Sequence, residues 1–350
     1  MSDATRDALR ARILELIDRL ADGSRDEPAL SALLADLAAY QTARVAPYAR
    51  LCAAGGDRAL PTDVFRFARI ASFPPGETQK EFRTSGTTHG ERGVHPFASL
   101  ELYDRAAHAA ARHALFCGVD RMRLVILAPS PREAPDSSLS YMLGRFETWF
   151  GTRVDWVWRD QLDLAALDRS LLAAHEAREP VALLGTSFAF IHAEDALGER
   201  RYALPSGSRI MQTGGTKGRS REVSADALTS ALAVRYGVPE PFVVAEYSMT
   251  ELSSQMYERT LRDAYEGRAP IRRYWVPGWV RATATDPETL GAARGIGVLR
   301  IDDAANLDSV SAVQTADLAR VDDDGLELLG RAPGAVPRGC SLAIEEALGG

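Results

Sequence analysis

The sequence is poor in cysteine and contains no long apolar run. Its three cysteines, Cys52, Cys117 and Cys340, are widely spaced, which argues against a disulfide framework and against a structural zinc site with paired ligands. No segment approaches the roughly 20 apolar residues of a membrane span, and the polar amino terminus lacks the pattern of a signal peptide. The net charge of -7 argues against a broad nucleic-acid surface. We therefore expect a cytoplasmic protein with no membrane span and no nucleic-acid partner.

The composition is that of an ordinary globular protein, with 46% hydrophobic and 25% charged residues. Its 350 residues are enough for one large domain or two closely joined subdomains. Apolar residues at helical spacing predict one amphipathic helix over residues 9–20 and a second over residues 28–40. We predict a helical segment at 1–40, a core domain at 41–330 and a short tail at 331–350.

Short apolar runs that stop at polar residues follow the helical segment. They have the pattern of buried parallel strands, and helical stretches separate them, so we predict an α/β fold. The runs are Leu124–Ala128, Val181–Leu184, Arg209–Gln212 and Phe242–Ala245. Ligands of such sheets bind at the carboxyl ends of the strands. The polar residues at these ends are therefore the candidate site.

After about residue 275 the helical spacing of apolar residues ends, and short segments with the alternating pattern of strands follow. Residues 280–285, 297–301, 319–321 and 326–329 are predicted strands, and the turn Asp322–Gly325 predicts a hairpin because Asp-Gly tolerates positive φ. A calcium loop is the alternative interpretation of these aspartates, but the later ligand positions are missing.

A hydroxyl-rich segment, Phe82–Gly93, is the most informative part of the chain. Glycines allow a backbone to approach an anion, and N–H groups, hydroxyls and a guanidinium bind phosphate oxygens. The segment is not a Walker loop, because the required glycine-lysine-serine/threonine ending is missing. It is either a phosphate-binding loop or a flexible surface loop. The candidate phosphate-binding residues are Thr84, Ser85, Gly86, Thr87, Thr88 and Arg92.

Two further segments follow predicted strands. The first contains Gly214, Gly215 and Thr216, where adjacent glycines would let a flat ring lie against the backbone. The second, Glu246–Glu251, presents Tyr247, Thr250 and Glu251. The Glu251 carboxylate is a candidate ligand for Mg²⁺, which prefers oxygen and commonly bridges to substrate phosphates. The ordinary alternative is a surface glutamate.

The thiol of Cys340 lies close to the end of the sequence, in the segment Arg338–Ser341. A thiol is the best intrinsic nucleophile among common side chains, and a neighbouring arginine raises its thiolate fraction. Cys340 is therefore either a nucleophile or an inert packing residue.

These segments occur together, and in the same order, in the adenylate-forming superfamily of acyl-CoA synthetases, firefly-type luciferases and peptide-synthetase adenylation domains. Thr84–Gly93 resembles the phosphate loop of that superfamily, with Arg92 in place of a lysine. Tyr247–Glu251 resembles its Tyr-Gly-x-Thr-Glu motif, with Ser248 in place of glycine. The residues that resemble its ribose-binding and hinge motifs are Thr315–Arg320, Gly325, Gly330 and Arg331.

A narrower resemblance, from about residue 35 onward, is to the LuxE-type acyl-protein synthetases. It is carried by Tyr40-Gln41, Pro61-Thr62, Phe73–Pro75, Ala128–Pro131, Ser137–Met142, Gly214–Ser220 and Arg338–Leu342. The resemblance implies the large-domain fold of adenylate-forming enzymes, with mixed and parallel sheets flanked by helices and a smaller β-rich region towards the carboxyl end. Since 19 residues follow Arg331, it also implies that the mobile carboxyl-terminal domain is absent or vestigial.

The resemblance further implies the roles of individual residues. The hydroxyl-rich loop with Thr87 and Arg92 would hold the phosphates of ATP, Glu251 would bind Mg²⁺, and Cys340 would accept the acyl group. Adenine and ribose would be framed by Gly214, Gly215, Tyr247, Asp317 and Arg331. His89 stands where glycine is usual, so this loop is expected to differ in backbone shape or to place an imidazole on a phosphate.

The implied function is the ATP-dependent activation of a carboxylic acid, by resemblance a fatty acid, and its transfer to Cys340 for delivery to an acyl reductase. Two alternatives stay open. The acyl group would pass directly to coenzyme A or a carrier protein, or the chain would be a pseudoenzyme that binds nucleotide and scaffolds a reductase. Residues 185–190 line either an acyl pocket or the ordinary core.

Overall fold

The computed structural model of the chain describes residues 4–55, 58–85, 92–214 and 223–331. The helices are α1 (Ala4–Arg19), α2 (Glu27–Thr42), α3 (Ala46–Ala53), α4 (Val64–Phe67), α5 (Glu101–Ala114), α6 (Ser138–Phe150), α7 (Leu164–Ala177), α8 (Ser187–Leu197), α9 (Ala225–Tyr236) and α10 (Thr260–Tyr265). The strands are β1 (Leu60–Pro61), β2 (Lys80–Arg83), β3 (Val94–Phe97), β4 (Met122–Leu127), β5 (Gly151–Trp156), β6 (Val181–Thr186), β7 (Arg209–Thr213), β8 (Val243–Tyr247), β9 (Met256–Glu258), β10 (Tyr274–Trp275), β11 (Val280–Thr285), β12 (Ile296–Asp303), β13 (Ala312–Asp322) and β14 (Gly325–Arg331).

The chain divides into two compact units, each built from separate segments. The first unit comprises Met1–Ala110, Ser248–Gln255 and Trp275–Gly350, and the second comprises Ala111–Tyr247 and Met256–Tyr274. The predicted boundaries at residues 40 and 330 stay a prediction.

The second unit contains a mostly parallel sheet in the order β5-β4-β6-β7-β8-β9. Neighbouring strands from β5 to β8 run parallel, and β9 runs antiparallel to β8. Every residue of β4 is buried, as expected for a parallel strand covered on both faces. The four buried strands predicted from the sequence are therefore confirmed, and their polar carboxyl ends lie along one edge of the sheet.

Side-chain caps fix where four helices of this unit, α6 to α9, begin. Asp163 accepts a hydrogen bond from the N–H of Ala166 at 2.8 Å, and Thr186 accepts one from Ala189 at 3.0 Å. Ser137 and Ser224 cap α6 and α9 in the same way. Each cap satisfies a backbone donor that the first turn of a helix leaves unpaired. Strand β6 consequently passes directly into α8 at residue 186.

The described strands of the first unit form an antiparallel series and a separate hairpin. Strands β11, β12, β13 and β14 form an antiparallel series, and β1 pairs parallel with β13. Strands β2 and β3 form a separate antiparallel hairpin. The predicted helices at the amino-terminal end of the unit are confirmed as α1 and α2, which bury Ile13, Ile17, Leu30 and Leu37 completely.

The turn between β13 and β14 confirms the predicted hairpin but not its predicted backbone. Asp322 pairs with Gly325, so Asp323 and Asp324 are the central residues. Among the described residues that are not glycine, only Arg178 and Leu290 have positive φ, whereas Gly325 has φ of 123°. The unusual conformation is therefore taken by the glycine that closes the turn. The Asp322 carboxylate accepts the N–H of Asp324 at 3.0 Å, an Asx turn that accounts for one of the aspartates.

Over the four described ranges, no helix is both long enough and apolar enough to cross a bilayer.

Candidate active site

The base of the hydroxyl-rich loop is fixed by the β2–β3 hairpin of the first unit. The N–H of Thr84 donates to the carbonyl of Gly93 at 2.9 Å, and the N–H of Gly93 donates to the Thr84 hydroxyl at 2.9 Å. The guanidinium of Arg92 donates to the carbonyls of Thr84 and Arg83. Arg92 thus holds the loop base together and remains exposed. Its expected contact with phosphate stays a prediction.

The same hairpin contacts the segment that carries Thr250 and Glu251. His95 lies in β3, is 1% exposed, and its Nδ1 lies 2.8 Å from the carbonyl oxygen of Thr250. Since a carbonyl only accepts, Nδ1 carries the proton. Burial lowers the pKa of His95 to about 4, although the bond to Thr250 opposes this shift. A neutral imidazole therefore ties the hydroxyl-rich hairpin to the Thr250–Glu251 segment.

Glu251 is a buried carboxylate, with 7% of the residue exposed. Burial raises its pKa to about 7, while its own backbone N–H opposes the shift. The charge of Asp63 raises the pKa further and that of Arg331 lowers it. A carboxylate that is costly to ionise gains most from a nearby cation. Glu251 is thus chemically suited to bind a divalent metal.

Arg331 also contacts Asp317, the predicted ribose-binding residue. The Arg331 Nε lies 3.4 Å from the Asp317 carboxylate, at the end of the β13–β14 hairpin. Because Arg331 acts electrostatically on Glu251 as well, the first unit brings three separate sequence motifs together. These are the base of the hydroxyl-rich loop, the Thr250–Glu251 segment and the Asp317–Arg331 pair.

Two residues that shape this site carry no signal in the sequence. Asp303 is completely buried and accepts hydrogen bonds from the N–H groups of Ser253 and Ser254 at 3.0 and 2.9 Å. It also accepts the Ser254 hydroxyl at 2.8 Å and the N–H of Ala305 at 2.9 Å. Asn306, 1% exposed, donates from Nδ2 to the carbonyl of Glu251 at 2.9 Å. A single aspartate or asparagine is typical of any loop, so only the structure identifies them.

The second unit carries two further predicted positions, Gly214 and Tyr247, at the carboxyl edge of its sheet. Thr213 and Glu246 are register partners on β7 and β8, and the Thr213 hydroxyl donates to the Glu246 carboxylate. The Ser187 hydroxyl lies 2.7 Å from the carbonyl oxygen of Gly214. Gly214 has φ of 77°, and no atom of the described residues lies within 4 Å of the place where its Cβ would stand. Its geometry therefore suits close approach by a ligand.

Tyr247 ends β8 in the same unit, and its ring packs edge-on against Tyr274 with centroids 6.0 Å apart. The contact holds a half-buried aromatic ring at the end of a parallel strand. Its predicted contact with adenine stays a prediction.

The proposed acyl-pocket segment at residues 185–190 is largely structural in this fold. Thr186 caps α8, and Phe190 is completely buried in the hydrophobic core of the second unit. Phe188 is half-buried and packs parallel to His192 at 6.5 Å. Phe190 therefore follows the core interpretation, because the first turn of α8 directs it into the sheet.

A cleft of about 620 Å³ lies elsewhere in the second unit, between the loop after β4, helix α6 and strand β5. Gly144 allows α6 to pack against Pro131, whose Cγ would lie 2.6 Å from an added Cβ. The cleft lining includes Ser130, Pro131 and Tyr141, which belong to the motifs resembling LuxE-type enzymes. Among the described residues, this lining includes none of the predicted catalytic positions.

Several predicted positions lie outside the described residues. They are Gly86, Thr87, Thr88, His89, Gly215, Thr216 and Cys340. Where the chain is described, no group of three or more histidine, cysteine, aspartate or glutamate residues is arranged to hold a metal ion. Magnesium characteristically uses one or two carboxylates together with substrate phosphates, so Glu251 alone is compatible with it.

Comparison with solved structures identifies the fold. ATP-bound MatB from Rhodopseudomonas palustris superposes with a TM-score of 0.50 and 17% identity, covering 74% of this chain and 49% of that one. The ATP-bound RpMatB-BxBclM chimera B1 gives a TM-score of 0.51 and 16% identity, again covering 74% and 49%. This is the fold of the large domain of adenylate-forming enzymes. The predicted fold class is confirmed.

The chain spans about half the length of these solved structures. No protein-family model matches it, and no curated protein matches it. At identities of 16% and 17%, the likeness shows the fold alone, and the function must be argued from the site.

Proposed function

We propose that this protein activates a carboxylic acid with ATP as an acyl-adenylate and transfers the acyl group to a thiol, its own Cys340. The observation that carries the proposal is the convergence in the first unit of the hydroxyl-rich hairpin, Glu251 and the Asp317–Arg331 pair. His95 joins the first two elements, and Arg331 joins the last two. Such a grouping of phosphate donors, a metal-binding carboxylate and a ribose-binding pair suits a magnesium nucleotide.

The donor set fits both ATP and Mg²⁺. Thr84 and Ser85 begin the hydroxyl-rich loop, and Arg92 supplies a cation at its far end. Glu251 provides the hard oxygen ligand that Mg²⁺ prefers, and the raised pKa of its carboxyl would fall when a cation binds. When bound, Mg²⁺ supplies neutralisation of phosphate charge. Support for ATP also comes from the shared fold, since the compared MatB structures contain ATP.

In the first step, a carboxylate oxygen of the substrate attacks the α-phosphorus of ATP, and the bond to the β-phosphate oxygen breaks. Pyrophosphate leaves, and the acid becomes a mixed anhydride with AMP. The side chains of this protein perform no covalent chemistry here. The hydroxyls of Thr84–Thr88 and the Arg92 guanidinium position the phosphates and stabilise the charge that builds up on them.

In the second step, the Cys340 thiolate attacks the acyl carbonyl, and AMP leaves with the bonding electron pair, which gives a thioester. The other cysteines suit this role poorly. Cys117 is buried, and burial raises the pKa of its thiol. Cys52 is half-buried, with its sulfur 3.7 Å from the Thr42 hydroxyl. Both provide matched controls for the assignment of Cys340.

The finer assignment rests on the resemblance to LuxE-type enzymes. We propose a fatty acid as the substrate, an acyl reductase as the partner that collects the thioester, and the cytoplasm as the location. A pyrophosphate-release screen over fatty, aromatic and short polar acids tests the substrate class. Release with aromatic acids and not with fatty acids would contradict it.

The thiol assignment is tested with a labelled carboxylic acid and Mg-ATP. Wild type, Cys52→Ser and Cys117→Ser should retain acid-stable, hydroxylamine-labile label, and Cys340→Ser should lose it. Full retention by Cys340→Ser would contradict the acyl-enzyme. If added coenzyme A or a carrier protein takes up label while wild type never retains it, the enzyme uses an external thiol. A protein with no carboxylate-dependent ATP turnover would be a nucleotide-binding scaffold.

A further inference from the structure

The chain around Glu251 is held in place by side-chain hydrogen bonds and not by regular secondary structure. Residues 248–255 contain no helix or strand, so backbone hydrogen bonds of regular structure do not set their path. The segment is instead held by side chains from distant parts of the sequence, all within the first unit. The bonds from Asn306 and His95 span 55 and 155 residues of sequence.

These side chains form hydrogen bonds with the main chain on both sides of Glu251. His95 donates to the carbonyl of Thr250 at 2.8 Å, and Asn306 donates to the carbonyl of Glu251 itself at 2.9 Å. Beyond Glu251, Asp303 accepts the N–H groups of Ser253 and Ser254. The backbone is thereby fixed at the residue before Glu251, at Glu251, and two and three residues after it.

A second layer of buried hydrogen bonds holds Asp303 and Ser254 in place. The Trp279 indole N–H donates to the Ser254 hydroxyl at 3.0 Å, and that hydroxyl donates to Asp303 at 2.8 Å. Trp279 and Asp303 are both completely buried. Because water does not reach these groups, each bond excludes alternative backbone positions more strongly than a bond at the surface would.

Maximum stability does not explain this choice of side chains. A buried carboxylate and a buried amide are costly to desolvate, and apolar side chains of similar volume commonly give an equal or more stable core. Burial of Asn306 also carries a desolvation cost that its hydrogen bonds do not fully offset. Its Nδ2 serves the carbonyls of Glu251 and Val310, while its buried Oδ1 has no hydrogen-bond partner among the described residues.

From this geometry we propose that Asn306 and Asp303 are positioning residues, which place the Glu251 carboxylate for the metal-bound nucleotide. The inference rests on the proposed function. Neither residue touches substrate; each acts through the main chain of residues 250–254. Loss of a side chain that orients a metal ligand commonly weakens metal affinity about 10- to 100-fold.

Gln41 supplies a matched control. It is completely buried and holds the same stretch of chain that carries Asn306, through the carbonyls of Asn306 and Leu307 at 2.7 and 3.3 Å. Its Oε1 accepts the N–H of Ser311 at 2.9 Å. Its side chain makes four buried hydrogen bonds, against two for Asn306, and none of the four is to residues 248–255. Gln41→Ala therefore loosens the loop without releasing Glu251 directly.

The test compares wild type, Asn306→Ala and Gln41→Ala by calorimetric titration of a non-hydrolysable ATP analogue at increasing Mg²⁺. Asn306→Ala should raise the Mg²⁺ concentration for half-maximal binding about tenfold, and Gln41→Ala, which acts only through the loop that carries Asn306, should raise it much less. In steady-state assays, Asn306→Ala should lower kcat for adenylation with little change in KM for the acid. Equal shifts in both variants, or a shift in neither, would overturn the proposal.

A second measurement needs no ligand. Amide hydrogen exchange of Ser253 and Ser254 in the nucleotide-free protein should accelerate in Ser254→Ala. This variant removes one donor to Asp303 and the acceptor of the Trp279 indole N–H, and it keeps both backbone bonds to Asp303. The same variant should shift the Mg²⁺ dependence in the direction of Asn306→Ala by a smaller factor, and it remains informative if Asn306→Ala does not fold. Faster exchange with an unchanged Mg²⁺ dependence would overturn the proposal. If wild type itself binds no Mg-ATP analogue, the proposed function fails, and the positioning role fails with it.

Discussion

Two buried carboxylates of the first unit differ sharply in how their charge is accommodated. Asp303 accepts four hydrogen bonds, three of them from backbone N–H groups. Glu251 is almost as deeply buried, yet the interaction that opposes its raised pKa most strongly comes from its own backbone N–H. Asp303 has the environment of a structural anchor. The environment of Glu251 fits the role that we propose for it, a ligand of a cation that arrives with the substrate.

The largest effect on stability is expected when the Asp303 side chain is removed. Asp303→Ala would leave four donors without their acceptor, and each unsatisfied buried group costs about 1–3 kcal/mol. We expect a loss of about 4 kcal/mol or more, measured by urea unfolding. Asp286 is the control, because it accepts three hydrogen bonds in an exposed turn where water replaces a lost partner, and Asp286→Ala should cost far less. Similar losses of unfolding free energy in the two variants would contradict the description of Asp303 as a structural anchor.

Removal of the Glu251 charge should stabilise the protein at high pH. The pKa of Glu251 is about 7 in the folded protein against the ordinary 4.5, so the folded state binds the proton more tightly and wild type loses stability as pH rises from 4.5 to 7. The loss amounts to about 3 kcal/mol. Glu251→Gln should lack this loss, and unfolding of both proteins between pH 5 and 8 measures it. A variant that is less stable than wild type at pH 8 would contradict the assignment.

His95 should show the opposite pH dependence. Its pKa is about 4 against the ordinary 6.5, so the unfolded state binds the proton first and stability is lost as pH falls from 6.5 towards 4. Down to pH 5 the loss is about 2 kcal/mol. We expect His95→Gln to remove this acid-side loss in the same unfolding series. Because the Glu251 and His95 slopes oppose each other, the double variant should differ little from wild type in its slope between pH 5 and 6.5.

The smallest effect on stability is expected at Arg331. Its side chain is 62% exposed where it meets Asp317, and exposed ion pairs contribute about 0–1 kcal/mol. Arg331→Ala should therefore leave unfolding almost unchanged. If Arg331 and Asp317 hold ribose, the variant should nevertheless bind an ATP analogue about tenfold more weakly. Unchanged nucleotide affinity would remove Arg331 from the site.

The sequence predicted the elements whose signals are local. Buried strands such as β4 appear as short apolar runs, and α2 appears as a stripe of leucines at helical spacing. The motif residues Thr84, Thr250, Glu251, Asp317 and Arg331 were predicted by resemblance, and the structure brings these motifs together within one unit.

The other residues of the site could not be predicted from the sequence, because their roles depend on tertiary contacts. Nothing near Asp303 or Asn306 in the sequence shows that they would be buried against a segment about 50 residues away. His95 in the same way contacts Thr250 across 155 residues. Phe190 was ambiguous because an aromatic residue after a strand suits a pocket or a core equally well, and only the start of α8 at Ser187 decides between them.

Isotope exchange between pyrophosphate and ATP tests the central claim most directly, since it reports adenylation without the thiol step. With a suitable carboxylic acid and Mg²⁺, wild type and Cys340→Ser should exchange at similar rates, whereas Glu251→Gln should be slower by about 10²-fold or more. Absence of acid-dependent exchange in wild type, or an unaltered rate in Glu251→Gln, would contradict the account.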